Sequence, residues 1–447
     1  MRGLGLLVVV AATGLAGMYG PAWAGERRVA TPEELTAALV AAAPGDEIAL
    51  QPGTYAGDLY RENLQQVTIR SADRENPAVI KGGDYGLMLS DATDVTLSDL
   101  VFEEQLRNGI NIDDAGSYET PARNIRLIRI TVRNIVESGN NDAIKMAGVD
   151  GFVIDGARIE NWGDDGSAID FVGCRNGLVQ NSLLIHTALK FGSGIRPKGG
   201  SKDIVIRANR VEIPIGTGRA IQAGGSTDAE FFRFAEGDKD YEADGITIEG
   251  NVIIGGGAAI SWVNIDGGVV HHNLVQGPSP WVMRILNENE GNDIVDTRNG
   301  AFHDNEIAFA TGGDFNRAVN VGKETEPETF QFTRNRWLNT ADPTPDGSKP
   351  QLPAAESDGV YGEELHNAAD RVQVWVFPWG QWLVNATPEE ASVDIDEPGS
   401  FKRVEPGEGA SFSPLAERPL SGTWSAQDLP GNSLTMPAMS QAILINN

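Results

Sequence analysis

GFVIDGARI (151–159), DIVIRANRV (203–211), GITIEGNVI (245–253), GGVVHHNLV (267–275), GAFHDNEI (300–307) and TFQFTRNRW (329–337) are variants of one phrase. Each alternates apolar with polar side chains and is rich in β-branched residues, the pattern of a short, half-buried strand. A shared register falls on Leu100, Ile130, Ala157, Ser182, Asn209, Asn251, Asn273, Asn305 and Asn335. The intervals run from 22 to 42 residues, the range of stacked repeats. Asn at one register position in coil after coil predicts stacked side-chain amides at a turn inside a parallel β-helix.

A second strand lies between consecutive phrases: GINID (109–113), AIKMA (143–147), AIDFV (168–172), GIRPK (194–198), AIQAG (220–224) and AISWV (259–263). The Ile in each should point inward and the next residue outward, because strand side chains alternate. The outward column is Asn111, Lys145, Asp170, Arg196, Gln222 and Ser261. A second column two residues on includes Asp113 and Lys198. The turns leading into these strands add Asn141, Asp142, Asp164, Asp165, Lys190 and Arg219, with His186 slightly earlier. Strands about 4.8 Å apart would join Lys145, Asp170, Arg196 and Lys198 in one charged patch.

That patch stands against the rest of the chain, which has 63 acidic and 35 basic side chains and a formal charge of −28. Such a surface repels nucleic acid and anionic membranes. An anionic polysaccharide is a compatible partner only where positive charge is concentrated. Lys190, Arg196, Lys198 and Arg219 supply that concentration from two adjacent coils. A single cysteine, Cys174, means that disulfides do not hold the fold.

The first 24 residues read as an export signal: Arg2, an apolar run from Leu4 to Leu15, and the cleavage motif Ala22-Trp23-Ala24. The expected location is periplasmic or secreted, and no later segment reads as a membrane span. TPEELTAALVAAAPGDEIAL (31–50) reads as a helix entering a first strand, with Thr31 as N-cap, Pro32 at the first position and Pro44-Gly45 as the stop. It would cap the open solenoid end. The expected organisation is a β-helix domain over 25–340, a linker over 341–365 and a small β region over 366–447 for capping or glycan binding. STDAEFFRFAEGDKDYEAD (226–244) is an inserted loop, of the kind that lines a binding face.

Removing a proton next to a carboxylate requires neutralising that carboxylate and bringing a base to the proton. Arg binds carboxylate in two places, and Lys becomes a base when neighbouring cations lower its pKa. The residues therefore point to β-elimination of a uronic-acid polysaccharide. Lys198 would be the base, and Arg219 and Arg196 would neutralise the carboxylate. Asp170 would orient the cations, and Lys145, Gln222 and Arg284 would bind substrate. Lys190 or His186 would assist, and Tyr241 in the long loop would donate a proton. Two alternatives stay open. Asp142, Asp164 and Asp165 suit acid/base hydrolysis, or else the charged column is a self-neutralised ladder in a non-catalytic glycan-binding protein. The same acids leave Ca2+ open as a cofactor, although no regular calcium-loop spacing is present. His271 and His272 are adjacent in a strand, so they should point apart and not share a metal.

The segment ATPEELTAALVAAAPGDEIALQPGTYAG (30–57), followed by Asn-register coils, resembles the exported right-handed parallel β-helix polysaccharide lyases of the chondroitinase B and alginate lyase family. The resemblance covers roughly residues 30 to 340. It implies a Lys base and an Arg one coil apart, here Lys198 and Arg219. PKGGS (197–201) and RAIQAGG (219–225) replace the family's Lys-Ser and Leu-Arg-His phrases, and Gln222 occupies the strand position of the family Arg. The family's calcium acids have no clear counterpart. The chain is also similar to the polygalacturonase-type hydrolases in NND (140–142) and GDD (163–165), with FGSG (191–194) in place of Gly-His-Gly. In that pattern Arg196 and Lys198 come one coil early. The Asp-Pro-His-Asp signature of the mannuronan epimerases is absent.

Overall fold

The computed structural model describes residues 25–136, 138–289, 293–310, 318–407, 410–429 and 431–446. The export signal read in residues 1–24 lies outside them. The expected parallel β-helix is present. Its strands pair in parallel from coil to coil in a 15-stranded sheet and a 20-stranded sheet. In the first, Val153 pairs with Leu178, Leu178 with Val205 and Val205 with Thr247. The larger sheet holds two strand rows, which run together in the long strands Arg210–Gly224 and Val252–Val263. Inward residues such as Ile154, Val179, Ile206 and Ile248 fill one continuous core.

The repeat phrase ends at the predicted amide ladder. The side-chain oxygen of Asn273 accepts from both the backbone N–H and the amide of Asn251, each at 2.9 Å. The same pair of bonds joins Asn209 to Asn251, Asn273 to Asn305 and Asn305 to Asn335. Asn suits this stack because its amide both donates and accepts. Glu356 ends the ladder, its Oε1 accepting from the Asn335 amide at 2.8 Å. At the other end of the solenoid the helix Pro32–Ala41 buries Leu35, Ala38 and Leu39. Thr31 Oγ1 accepts from the Glu34 N–H at 3.2 Å, as its N-cap position requires.

The segment 341–365 is more than a linker. Glu356–Ser357 and Val360–Tyr361 pair in parallel with the preceding coil and form one more coil. Its Pro-rich start gives only the short helix Pro345–Ser348. Beyond it lies a 5-stranded sheet whose strands pair antiparallel. This sheet packs on the corner that carries the ladder. The Arg210 guanidinium donates to the Ala369 carbonyl at 2.6 Å, and that of Arg207 to the Phe412 carbonyl at 2.8 Å. Gly250, at φ +63°, faces the Trp382 ring so closely that a Cβ would collide with it. His271 pairs with Glu249 as expected from the register, but it is buried instead of facing outward, and its Nδ1 lies 2.9 Å from Nδ1 of His272.

Candidate active site

The second strand row places the outward column as its spacing predicted. Asn111 pairs with Lys145, Lys145 with Asp170 and Asp170 with Arg196. Gln222 pairs with Ser261 and Ser261 with Arg284. The intervening Ile110, Ile144, Ile169, Ile195, Ile221 and Ile260 are all buried in the core. This inward anchoring holds the charged face in register.

Asp170 is the hub of the cluster and is 0% exposed. Its Oδ2 accepts from Lys145 at 2.7 Å and its Oδ1 from Arg196 Nε at 3.0 Å. Burial pushes its carboxyl up, but Arg196, Lys145 and Lys198 outweigh burial and hold it well below the carboxylate range. Asp142 goes the other way. Burial and the Asp170 charge push it up, against Lys145 and Arg196. Its Oδ1 accepts from the Ser167 N–H at 2.7 Å and its Oδ2 from Lys145 at 3.1 Å. Burial disfavours charge on Lys145, yet Asp170 and Asp142 more than offset this and raise it.

Lys198 differs from every other cation here. Its contact with Asp170 Oδ1 is long, 3.9 Å, and its side chain is 14% exposed. Burial lowers its pKa below 10.5, Asp170 opposes, and Arg196 and Lys145 lower it further. Its stem lies along Gly225, where an added Cβ would come within 3.0 Å of Cδ. Glycine at that position gives the lysine its room.

Arg219 pairs in register with Ser193, short of the column position held by Gln222 on the same regular stretch of strand. Its guanidinium reaches back: Nη1 donates to Gln222 Oε1 and Nη2 to Glu288 Oε1, both at 2.7 Å. Burial and Arg196 lower its pKa, against Glu288. Arg284 is lowered by burial and by Arg219. Its Nε is buried without a partner among the described residues. Lys145, Arg196, Lys198, Arg219 and Arg284 thus line one face, with Asp142, Asp170 and Glu288 among them. The sequence reading missed Glu288. Extending the strand register through Trp281–Leu286 would have placed it two residues past the row.

Other candidates lie elsewhere. Lys190, on the turn before the strand Ser193–Lys198, pairs with Asp164, which lies with the exposed Asp165 on the turn before the strand Ser167–Val172. His186 is wedged against Trp162, with Nε2 2.7 Å from the Trp162 carbonyl and Nδ1 accepting from the Ala188 N–H. Tyr241 does not join the cluster as the expected proton donor. It packs edge-on to Phe234 and under the Lys202 ammonium. Its hydroxyl is buried without a partner among the described residues, and burial pushes it up to about 12. The acids do not fit calcium. Among the described residues no three His, Cys, Asp or Glu side chains converge as metal ligands, and Asp142, Asp164 and Asp170 each pair with a cation already.

No protein-family model and no curated protein matches the chain. Solved structures do match its fold. The lacto-N-biosidase of Eubacterium ramulus is 9% identical, with a TM-score of 0.52 over 75% of this chain and 68% of that one. The alginate lyase of Paenibacillus sp. str. FPU-7 is 18% identical, with a TM-score of 0.42 over 75% of this chain and 95% of that one. The A-module of the mannuronan C-5 epimerase of Azotobacter vinelandii is 14% identical, with a TM-score of 0.48 over 74% of this chain and 94% of that one. Their names cover three different reactions. What the likeness gives is the class, a parallel β-helix protein, and the reaction has to be argued from the cluster itself.

Proposed function

We propose that this protein is a polysaccharide lyase that cleaves a uronic-acid-containing polymer, of alginate or glycosaminoglycan type, by β-elimination. The observation that carries the reading is Lys198: a largely buried amine whose pKa burial and two neighbouring cations depress, beside arginines that exceed their local counter-ions. A neutral amine is the form that can accept a proton.

Arg219, Arg196 and Arg284 bind the uronate carboxylate and withdraw charge from it. Lys198 Nζ takes the proton from the carbon next to that carboxylate. The C–H electron pair forms the ring double bond as the neighbouring C–O glycosidic bond breaks. The leaving oxygen takes a proton from Lys198 or from water, which restores the amine or leaves it to exchange with solvent. Asp170 holds Arg196 and Lys145 in place and titrates too low to act as an acid itself. Export through residues 1–24 belongs to the same proposal, because such polymers lie outside the cytoplasm.

Hydrolysis has less support. Asp142 is buried and engaged at both oxygens, Asp164 is paired with Lys190, and Asp165 is exposed beside it. The test is a panel of uronate polysaccharides, followed by ultraviolet absorbance and reducing ends together. Elimination raises both. New ends without absorbance would overturn the lyase reading in favour of hydrolysis.

A further inference from the structure

Glu242 is 0% exposed, and among the described residues no cation pairs with it. Four donors hold it instead. Its Oε2 accepts from the Gly199 N–H at 2.7 Å and from Thr227 Oγ1 at 2.8 Å. Its Oε1 accepts from the Thr227 N–H at 2.6 Å and from the Asn289 amide at 2.7 Å. A carboxylate taken out of water without a counter-ion is strongly disfavoured unless hydrogen bonds replace the water. Here they do: each oxygen accepts twice, as an ionised carboxylate can.

The donors come from three separate stretches of chain. Gly199 follows Lys198 directly. Thr227 opens the long loop at the exit of the strand that carries Arg219 and Gln222. Asn289 follows Glu288, the partner of Arg219. Asn289 is held a second time, its N–H donating to Asn264 Oδ1 at 2.9 Å. The backbone carbonyl of Glu242 also accepts from the Gly200 N–H at 2.9 Å. One buried charge therefore ties the turn after the base to the segment that orients the carboxylate-binding arginine.

We infer that Glu242 is a positioning residue for this site: its carboxylate fixes the Lys198–Gly199 turn relative to the Arg219–Glu288 pair. The inference rests on the lyase reading for its consequence in turnover, and on geometry alone for its consequence at Lys198. Only an acceptor at both oxygens serves all three stretches. Glutamine is nearly the same size but turns one acceptor into a donor facing donors, so Glu242→Gln breaks the tie without emptying the cavity. Thr227→Val removes one of the four bonds and is the milder variant.

Two measurements test this on the full exported chain. The first is kcat and KM on a cleaved uronate polymer, well below the melting temperature of each variant. Glu242→Gln should lower kcat about 10- to 100-fold, the scale of a misplacement near the reacting atoms, with KM changed about threefold or less, and Thr227→Val should fall between it and wild type. The second is the pH dependence of Lys198 acylation, read by peptide mass spectrometry without any substrate. Lys198 should titrate about one pH unit higher in Glu242→Gln, because a released lysine regains water. Unchanged kcat and unchanged Lys198 titration in a folded but less stable Glu242→Gln would overturn the inference and leave a purely structural acid. If Glu242→Gln does not fold, Thr227→Val decides by the same two readouts. Wild-type protein inactive on every uronate polymer would sink the lyase reading, while the acylation profile would still decide the role of Glu242.

Discussion

The amide ladder and the charged column are both one-residue-per-coil stacks, built by the same repeat on neighbouring parts of the solenoid, yet they do opposite things. In the ladder Asn209, Asn251, Asn273 and Asn305 each donate to the side-chain oxygen of the next Asn. It is neutral, buried and complete. The column cannot repeat one residue in this way, because like charges stacked about 4.8 Å apart repel. It alternates as Lys145, Asp170, Arg196 and Gln222 and closes imperfectly. Lys198 is left with a 3.9 Å contact and Arg284 with an Nε that has no partner among the described residues. A solenoid stack that satisfies itself makes structure, and one that leaves cations over makes a site for an anion.

The largest effect should come from removing the proposed base, whose one carboxylate contact is long. Lys198→Ala should lower turnover about 10²- to 10⁴-fold with little change in melting temperature, since the lost contact is long and the stem lies at the surface of Gly225. A large drop in stability with turnover intact would put Lys198 on the ladder's side of the comparison. Next is the hub. Asp170→Asn leaves Lys145 and Arg196 beside a neutral amide, and breaking a buried pair in this way costs about 3–5 kcal/mol, read by denaturant unfolding.

In the ladder the sign of the effects reverses. Asn273→Ala strands two donors of the buried Asn251 and should cost about 2–4 kcal/mol, while turnover per folded molecule stays the same. A fall in turnover equal to that of Lys198→Ala would show that the two stacks are not separate. The smallest effect is in the pH profile. Because the folded pKa of Lys198 lies below 10.5, turnover should rise with pH as the ammonium loses its proton and should level off before pH 10.5. The same depression makes charged Lys198 destabilising below its folded pKa, and this penalty is relieved as pH rises from that value to the unfolded 10.5.

The two stacks were legible in the sequence for the same reason. A residue type recurring at a fixed offset from an inward Ile or Val marks a face, so Asn209 to Asn335 and Asn111 to Ser261 could be read off before any coordinates. What lay off the period was not legible. The strand alignment gave the places of Arg219 and Gln222 but not the hydrogen bond by which the guanidinium reaches Gln222. Glu242 and Glu288 sit in loops, where an acid normally means solvent, and only the fold shows that one is buried among four donors and the other holds Arg219. Tyr241 failed as a proton donor because the same loop folds inward and buries its hydroxyl. The Pro-rich run after residue 340 concealed two short strands, Glu356–Ser357 and Val360–Tyr361, too brief for alternation to show.

The most direct test of the central claim is the chemical structure of the end group made by wild-type protein and by Lys198→Ala on a uronate polysaccharide, read by mass spectrometry and proton NMR. Elimination predicts fragments whose non-reducing end carries a ring double bond next to the carboxylate, each lighter by one water than a hydrolysis product, and none with Lys198→Ala. Saturated ends from the wild type, or unsaturated ends still formed at the wild-type rate without Lys198, would contradict it.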